Sequence, residues 1–260
     1  PMRMRTALVK SKNLVSIRIL QAIGIQYAQD YITRFGFDAN RHPPYLPMAL
    51  GSGSVTPMQM AVGYAIFANG GFRVAPYFIK RIEDEKGTTI EQFQPVTALN
   101  GAKRVIDPRN AFIMTSMMQD VVNYGTAIKA KQLGRSDLAG KTGTTSNFVD
   151  AWFCGFQKDL VSVAWTGYDE PRSLGNNETG GRVALPIWMD YVGSVLKGIP
   201  MAEYTPPNGV IATKINSATG FRESTGDVME YFFKEQLPPI TDNPVNEEPK
   251  VTRDLKDQLF

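Results

Sequence analysis

Cysteine and histidine are almost missing from this 260-residue chain, which has one of each. A single cysteine excludes an internal disulfide, and Cys154, set between Phe153 and Gly155, reads as a buried strand residue and not as a nucleophile. The one histidine, His42, lies in Asn40-Arg41-His42-Pro43-Pro44 with no Cys or His at metal-ligand spacing, and reads as a surface-loop residue. That spacing argues against a zinc site and against a Ser-His-Asp triad. There is no Gly-x-x-x-x-Gly-Lys-Ser/Thr and no Gly-x-Gly-x-x-Gly after a strand, so no nucleotide cofactor and no metal is expected. Nothing approaches the ~18 consecutive apolar residues of a membrane helix, and Pro1-Met2-Arg3 opens no signal-peptide apolar region. Any membrane anchor of the parent protein is expected upstream. Net charge is +3, from 28 basic and 25 acidic residues, too even to argue for a nucleic-acid partner.

What is present suits a folded domain. At 43% hydrophobic residues, a chain of this length buries on the order of 70% of its unfolded surface. Leu14, Ile17, Leu20 and Ile23 share one helical face that stops at Gly24, and Ile25, Ala28, Ile32 and Phe35 repeat the pattern up to Gly36. Both faces are expected to pack on a core. Thr56-Pro57-Met58-Gln59 is a capping box with proline at the first helical position, and its helix closes at Asn69-Gly70-Gly71. Asp107-Pro108 opens another, with Met114, Met117/Met118 and Val121/Val122 as its buried face. Pro186 to Lys197 places Ile187, Trp188, Tyr191, Val192, Val195 and Leu196 at helical spacing.

Strand patterns separate from these. Residues 72–94 read as an exposed β-hairpin turning at Asp84-Glu85-Lys86-Gly87. Lys141 to Thr145, Asp150 to Gln157 and Leu160 to Gly167 read as three neighbouring strands, the last two apolar on both faces. A sheet buried on both faces needs helices on both sides. The expected fold class is therefore α/β (α+β): an antiparallel sheet sandwiched between helices, with the 141–145 strand at an edge facing a cleft. After Gly198 the prolines and acidic residues increase. Residues 199–237, with Phe221 and Tyr231-Phe232-Phe233, read as an extension docking on the body, and 238–260 as a flexible tail.

Chemistry concentrates in Lys141-Thr142-Gly143-Thr144-Thr145. Lysine supplies a cation, the threonines hydroxyl donors, and Gly143 leaves the strand's backbone open to a ligand, as a carboxylate site requires. Alone, Lys-Thr-Gly also fits a solvated turn. Upstream, Ser11-Lys12-Asn13 stands directly before a helix, where Ser11 also fits an N-cap and Asn13 a turn residue.

The two motifs in this order, with Thr6-Ala7-Leu8, Leu14 to Arg18, Leu50 to Pro57, Phe67 to Gly71, Asn123 to Ala127 and Ala139-Gly140 around them, resemble the transpeptidase domain of a bifunctional (class A) penicillin-binding protein. The likeness runs from about Arg5 to Lys197. That resemblance implies a penicillin-binding protein/serine β-lactamase-like fold, and peptidoglycan D,D-transpeptidation through a serine acyl-enzyme that β-lactams also acylate. It makes Ser11, Asn13, Lys141 and Thr144 catalytic and Thr142, Gly143, Thr144 and Thr145 substrate-binding. Ser11 would relay a proton to the leaving amine, Asn13 would orient the substrate amide, and the Thr144 N–H would donate to an oxyanion. Implied partners are stem peptides ending in D-Ala-D-Ala, β-lactam antibiotics and the rest of the parent, glycosyltransferase domain included, outside the cytoplasmic membrane.

The family's Ser-x-x-Lys nucleophile is expected upstream of Ser-x-Asn, and only ten residues precede Ser11. The sole match, Ser194-Val195-Leu196-Lys197, follows both motifs and reads as a helix segment without chemistry. The chain therefore reads as the C-terminal portion of a longer enzyme, with residues 1–198 part of the transpeptidase domain. A non-catalytic penicillin sensor of the same fold, or a carboxypeptidase or β-lactamase using water as acceptor, stays open at this point.

Overall fold

The computed structural model describes residues 2–241. Three helices come first: α1 (Met4–Val9), α2 (Asn13–Ile23) and α3 (Ile25–Ile32). Next is α4 (Pro57–Ala68), whose start is fixed by the capping box: the Gln59 N–H donates to Thr56 Oγ1 at 3.1 Å and the Thr56 N–H to Gln59 Oε1 at 2.9 Å. Four short strands follow, β1 (Phe72–Arg73), β2 (Arg81–Glu83), β3 (Thr89–Gln92) and β4 (Lys103–Arg104), then α5 (Pro108–Tyr124), capped by the Asp107 carboxylate. The central strands are β5 (Ala139–Thr144), β6 (Ala151–Gln157) and β7 (Leu160–Thr166); α6 (Ala184–Val195) and the hairpin β8 (Val210–Ile215) and β9 (Val228–Phe233) complete the order.

β5, β6 and β7 form one antiparallel sheet in that order, so β5 lies at an edge. Strand alternation decides which helix each side chain meets. Phe153 on one face packs edge-on against Trp188 of α6, ring centroids 4.9 Å apart, while Phe156 on the other meets Tyr64 of α4. Around Trp188 gather Val121, Val122, Leu138, Leu185 and Val192, all buried; Met118, Ala68 and Ala139 surround Phe156. The sheet is thus covered by α4 and α5 on one side and α6 on the other, as its two-faced apolarity demanded.

Several expectations are corrected. The first arm of the 72–94 hairpin contracts to β2, because Pro76 has no N–H to offer a ladder, and Phe72–Arg73 pairs instead with Lys103–Arg104. The apolar faces of α2 and α3 reach the core only in part: Leu20 is buried, and Tyr31 and Phe35 pack against the Ile66, Ile106 and Ala111 cluster, while Leu14 is 69% exposed and no α3 residue is buried. These helices pack chiefly on each other and on short turns such as Leu46–Leu50. On α6, Trp188, Val192 and Leu196 are buried while Ile187, Tyr191 and Val195 stand out, so the true stripe follows i, i+4 spacing from Ala184. Pro238 to Thr241, expected to begin a tail, run beside Arg222, whose N–H donates to the Pro239 carbonyl at 2.9 Å. The rest of that segment, 242–260, lies outside the described residues.

Trp188 is 1% exposed and also donates its indole N–H to the Ser162 carbonyl at 3.0 Å. Trp188→Ala is expected to cost about 3–5 kcal/mol through the cavity it opens. Ser194→Ala, on the exposed side of α6, should stay within about 0.5 kcal/mol. Urea denaturation midpoints of both variants check this.

Candidate active site

The site begins where α1 ends. The Ser11 N–H donates to the Leu8 carbonyl at 3.0 Å and the Lys12 N–H to the Ala7 carbonyl at 2.9 Å, the paired bonds of a Schellman motif. Ser11 therefore occupies the left-handed position, φ +50°, that glycine usually takes. It is not the N-cap of α2; Lys12 stands there and no side chain caps that helix. A serine accepts strain of about 1–2 kcal/mol at such a position. In return its hydroxyl faces Lys141, whose Nζ donates to Ser11 Oγ at 2.8 Å. Asn13, the first residue of α2, is exposed and its side chain makes no hydrogen bond among the described residues.

β5 supplies the opposite wall. Lys141 also donates to its neighbour's carbonyl, Thr142 O, at 2.9 Å, and it pairs across the sheet with Cys154. The lysine expected on an open strand is in fact half-buried, and loss of hydration lowers its pKa to about 8. Burial drives the Cys154 thiol the other way, up to about 12, so it stays protonated and inert.

Thr142 and Thr144 share the other face of β5. Thr142 Oγ1 lies 2.7 Å from Thr126 Oγ1, and Thr144 Oγ1 accepts the Gly180 N–H at 3.0 Å. The Thr145 N–H bonds inward, to the Asp150 carbonyl at 3.1 Å, so by antiparallel alternation the Thr144 N–H points out along the free edge. Gly143 faces Trp152 closely: a Cβ there would sit 3.1 Å from that of Trp152, which would have to give by a few tenths of an ångström. Thr145 differs from its neighbours. Its hydroxyl accepts the Asp150 N–H at 2.7 Å, and Asp150 in turn accepts the Trp165 indole N–H at 2.8 Å, which ties this threonine into the β5–β6 connection.

Sequence reasoning singled out the two motifs and missed Thr126, Asp150 and Gly180. Thr126 left a signal, since it sits in the Gly125-Thr126-Ala127 step that ends α5. A Cβ on Gly125 would meet the Val9 carbonyl at 2.5 Å, so this glycine lets the end of α5 close against the end of α1 and brings Thr126 to β5. Ser194, exposed on α6, shares no hydrogen bond with Ser11, Lys141 or Thr144. Among the described residues no cluster of three His, Cys, Asp or Glu is placed to hold a metal ion. The arrangement joins a cation, the Ser11 hydroxyl, two threonine hydroxyls and outward backbone N–H groups along one strand edge.

Residues 1–187 match the penicillin binding protein transpeptidase domain. The chain belongs to that family. Among its relatives, penicillin-binding protein 1A of Neisseria meningitidis serogroup A is 47% identical over 92% of this chain and 28% of its own length. The same-named protein of Pseudomonas aeruginosa is 40% identical over 92% of this chain and 35% of its own. The crystal structure of penicillin-binding protein 1A from Haemophilus influenzae superposes with a TM-score of 0.88 at 32% identity, covering 93% of this chain and 41% of that one. The chain thus spans about a third or less of its curated relatives, and the penicillin-binding fold expected from the sequence is the one observed.

In this penicillin-binding domain the strain at Ser11 separates two substitutions. Ser11→Gly should be more stable than Ser11→Ala by about 1 kcal/mol, because glycine adopts φ +50° freely whereas alanine keeps the Cβ and loses the hydroxyl bond. Thermal or urea unfolding of the two variants measures the difference.

Proposed function

We propose that this chain is the C-terminal part of the transpeptidase domain of a peptidoglycan D,D-transpeptidase, which cross-links stem peptides ending in D-Ala-D-Ala and is acylated by β-lactams. The observation that carries the reading is the Lys141 to Ser11 hydrogen bond, which joins the Ser-x-Asn and Lys-Thr-Gly motifs across 130 residues. The relatives' names support the parent as a bifunctional penicillin-binding protein 1A, with a glycosyltransferase domain and a membrane anchor outside this chain and the site on the periplasmic side. A more distant structure of the same fold, the PonA1 protein of Mycobacterium tuberculosis, was solved in complex with penicillin V.

In this reading the nucleophilic serine and its lysine come from a segment of the parent beyond residues 1–260. Attack on the peptide carbonyl forms a serine ester and releases D-alanine; an acceptor amine then takes the acyl group and frees the serine. Lys141 binds the substrate carboxylate, and Thr142 and Thr144 donate hydroxyl protons to it. Thr145 shapes the strand end through Asp150, and Gly143 keeps the backbone accessible. The Thr144 N–H, aimed along the open edge, supplies one oxyanion donor; loss of such a donor costs typically 10²–10³ in rate. Because Ser11 Oγ accepts from Lys141, the Ser11 proton is directed away from the lysine, toward a leaving amine. Asn13, its side chain free of partners among the described residues, orients the substrate amide.

Two measurements test the proposal. Residues 1–260 alone should give no stoichiometric mass adduct with a labelled penicillin, since the attacking atom is missing. In the complete protein, Lys141→Ala should slow acylation by carboxylate-bearing β-lactams by roughly one to two orders of magnitude.

The pH profile follows from the lysine's lowered pKa. Below about 8 the ammonium is present and attracts the carboxylate; above it the charge is lost. The second-order acylation rate of the free enzyme should therefore fall as pH rises through about 8. Lys141→Arg, charged throughout, should remove that limb, and a limb retained in the arginine variant assigns the titration to another group.

A further inference from the structure

Between β7 and α6 the chain passes Thr179-Gly180-Gly181 behind β5, on the face that carries Thr142 and Thr144. A Cβ on Gly180 would lie 2.2 Å from the Trp152 carbonyl oxygen and 2.4 Å from that of Gly143, and one on Gly181 would lie 2.9 Å from the Thr126 carbonyl oxygen. Gly180 does not have a left-handed φ, so what requires glycine there is close approach and not conformational range. The segment is fixed in turn to the start of α6. The Gly180 carbonyl accepts the Leu185 N–H at 2.9 Å, and that of Thr179 accepts those of Arg182 and Val183, each at 2.9 Å.

This approach sets the polarity of a hydroxyl. Thr144 Oγ1 has one proton and two lone pairs, and the Gly180 N–H, at 3.0 Å, can only donate to it. With a lone pair engaged from behind, the Thr144 O–H is turned away from Gly180, toward the open strand edge where Lys141 presents its ammonium. An arriving carboxylate meets a hydroxyl already arranged as a donor and needs no rotor to be reversed. The Thr126–Thr142 pair beside it is engaged differently: either oxygen of the pair can donate to the other, and the donor that approaches Thr142 Oγ1 is the Lys141 ammonium at 3.5 Å and not a fixed backbone N–H.

We propose that Gly180 is a positioning residue for the carboxylate site: its N–H fixes Thr144 as a donor, and through it Gly180 sets the preference for ligands that carry a carboxylate. The assignment rests on the function proposed above. Its test uses the complete parent protein and two probes, benzylpenicillin and benzylpenicillin methyl ester, with the ratio of their second-order acylation rates as readout. Gly180→Ala is expected to lower the acid-to-ester ratio roughly fivefold to tenfold, the range of one neutral hydrogen bond. Thr144→Val should do the same, Thr144→Ser should keep the wild-type ratio, and adding Gly180→Ala to Thr144→Val should lower it no further. An unchanged ratio in Gly180→Ala, or losses that add in the double variant, overturns the proposal.

Since a methyl at 180 meets backbone oxygens, a second measurement leaves that residue intact. The Gly180 amide should exchange hydrogen several-fold faster in folded Thr144→Val than in wild type, and equal exchange also overturns the assignment. The two levels remain distinguishable. A wild-type protein that forms no adduct with benzylpenicillin removes the underlying function, whereas a normally acylated wild type with an unaffected ratio removes only the role of Gly180.

Discussion

The 2.8 Å bond from Lys141 Nζ to Ser11 Oγ is the contact on which the site's geometry depends. It bridges a helix terminus and a sheet edge, so both must be held to within a few tenths of an ångström for it to persist. On the helical side this requires Ser11 to keep a left-handed backbone that serine does not favour. On the sheet side it requires β5 to remain unpaired along one edge, because a further strand there would cover the outward groups of Thr142 and Thr144. Strain at one end and an open edge at the other are liabilities in a purely structural element.

The surrounding fold supplies what that contact needs. α1 has only six residues, too short to be stable by itself, and is held from its start by Arg5. The Arg5 guanidinium reaches Glu230 of β9 at 2.8 and 2.9 Å and Asp120 of α5 at 2.9 Å, while Ser116 accepts at 3.1 Å. Glu230 is 9% exposed, and a buried pair of this kind costs about 3–5 kcal/mol when one partner is removed. The β8–β9 hairpin, remote in sequence, thus anchors the helix whose far end presents Ser11. Arg109, bonded to both Asp107 and Glu235, fastens the same hairpin to the start of α5.

Local chemistry was legible in the sequence and distant pairing was not. The capping box at Thr56, the Asp107-Pro108 start and the three central strands follow from residues a few positions apart, and they appear where spacing puts them. Lys141 and Ser11 were identified as motif members, yet the half-buried state of the lysine depends on α1, α5 and Cys154 converging from three parts of the chain. The β8–β9 hairpin escaped because its strands are separated by Asn216 to Asp227, a polar connection that resembles a linker. Gly180 escaped for a related reason: in sequence it is one of two glycines in a loop, and only the 2.2 Å that would separate an added Cβ from a β6 carbonyl oxygen shows what the absent side chain permits.

The lowered pKa of Lys141 has a consistent place in this arrangement. Hydration that would hold the ammonium fully charged has been removed, and its remaining neighbours, a serine oxygen, a carbonyl and a neutral thiol, replace it only in part. A desolvated cation beside uncharged acceptors is electrostatically unfinished, and an anion that enters the edge completes it. Under the proposed function, a substrate carboxylate would restore the favourable field and raise the lysine's proton affinity. Part of the cost of stripping the lysine would then be recovered only in the complex, turning a local destabilisation into selectivity for a carboxylate.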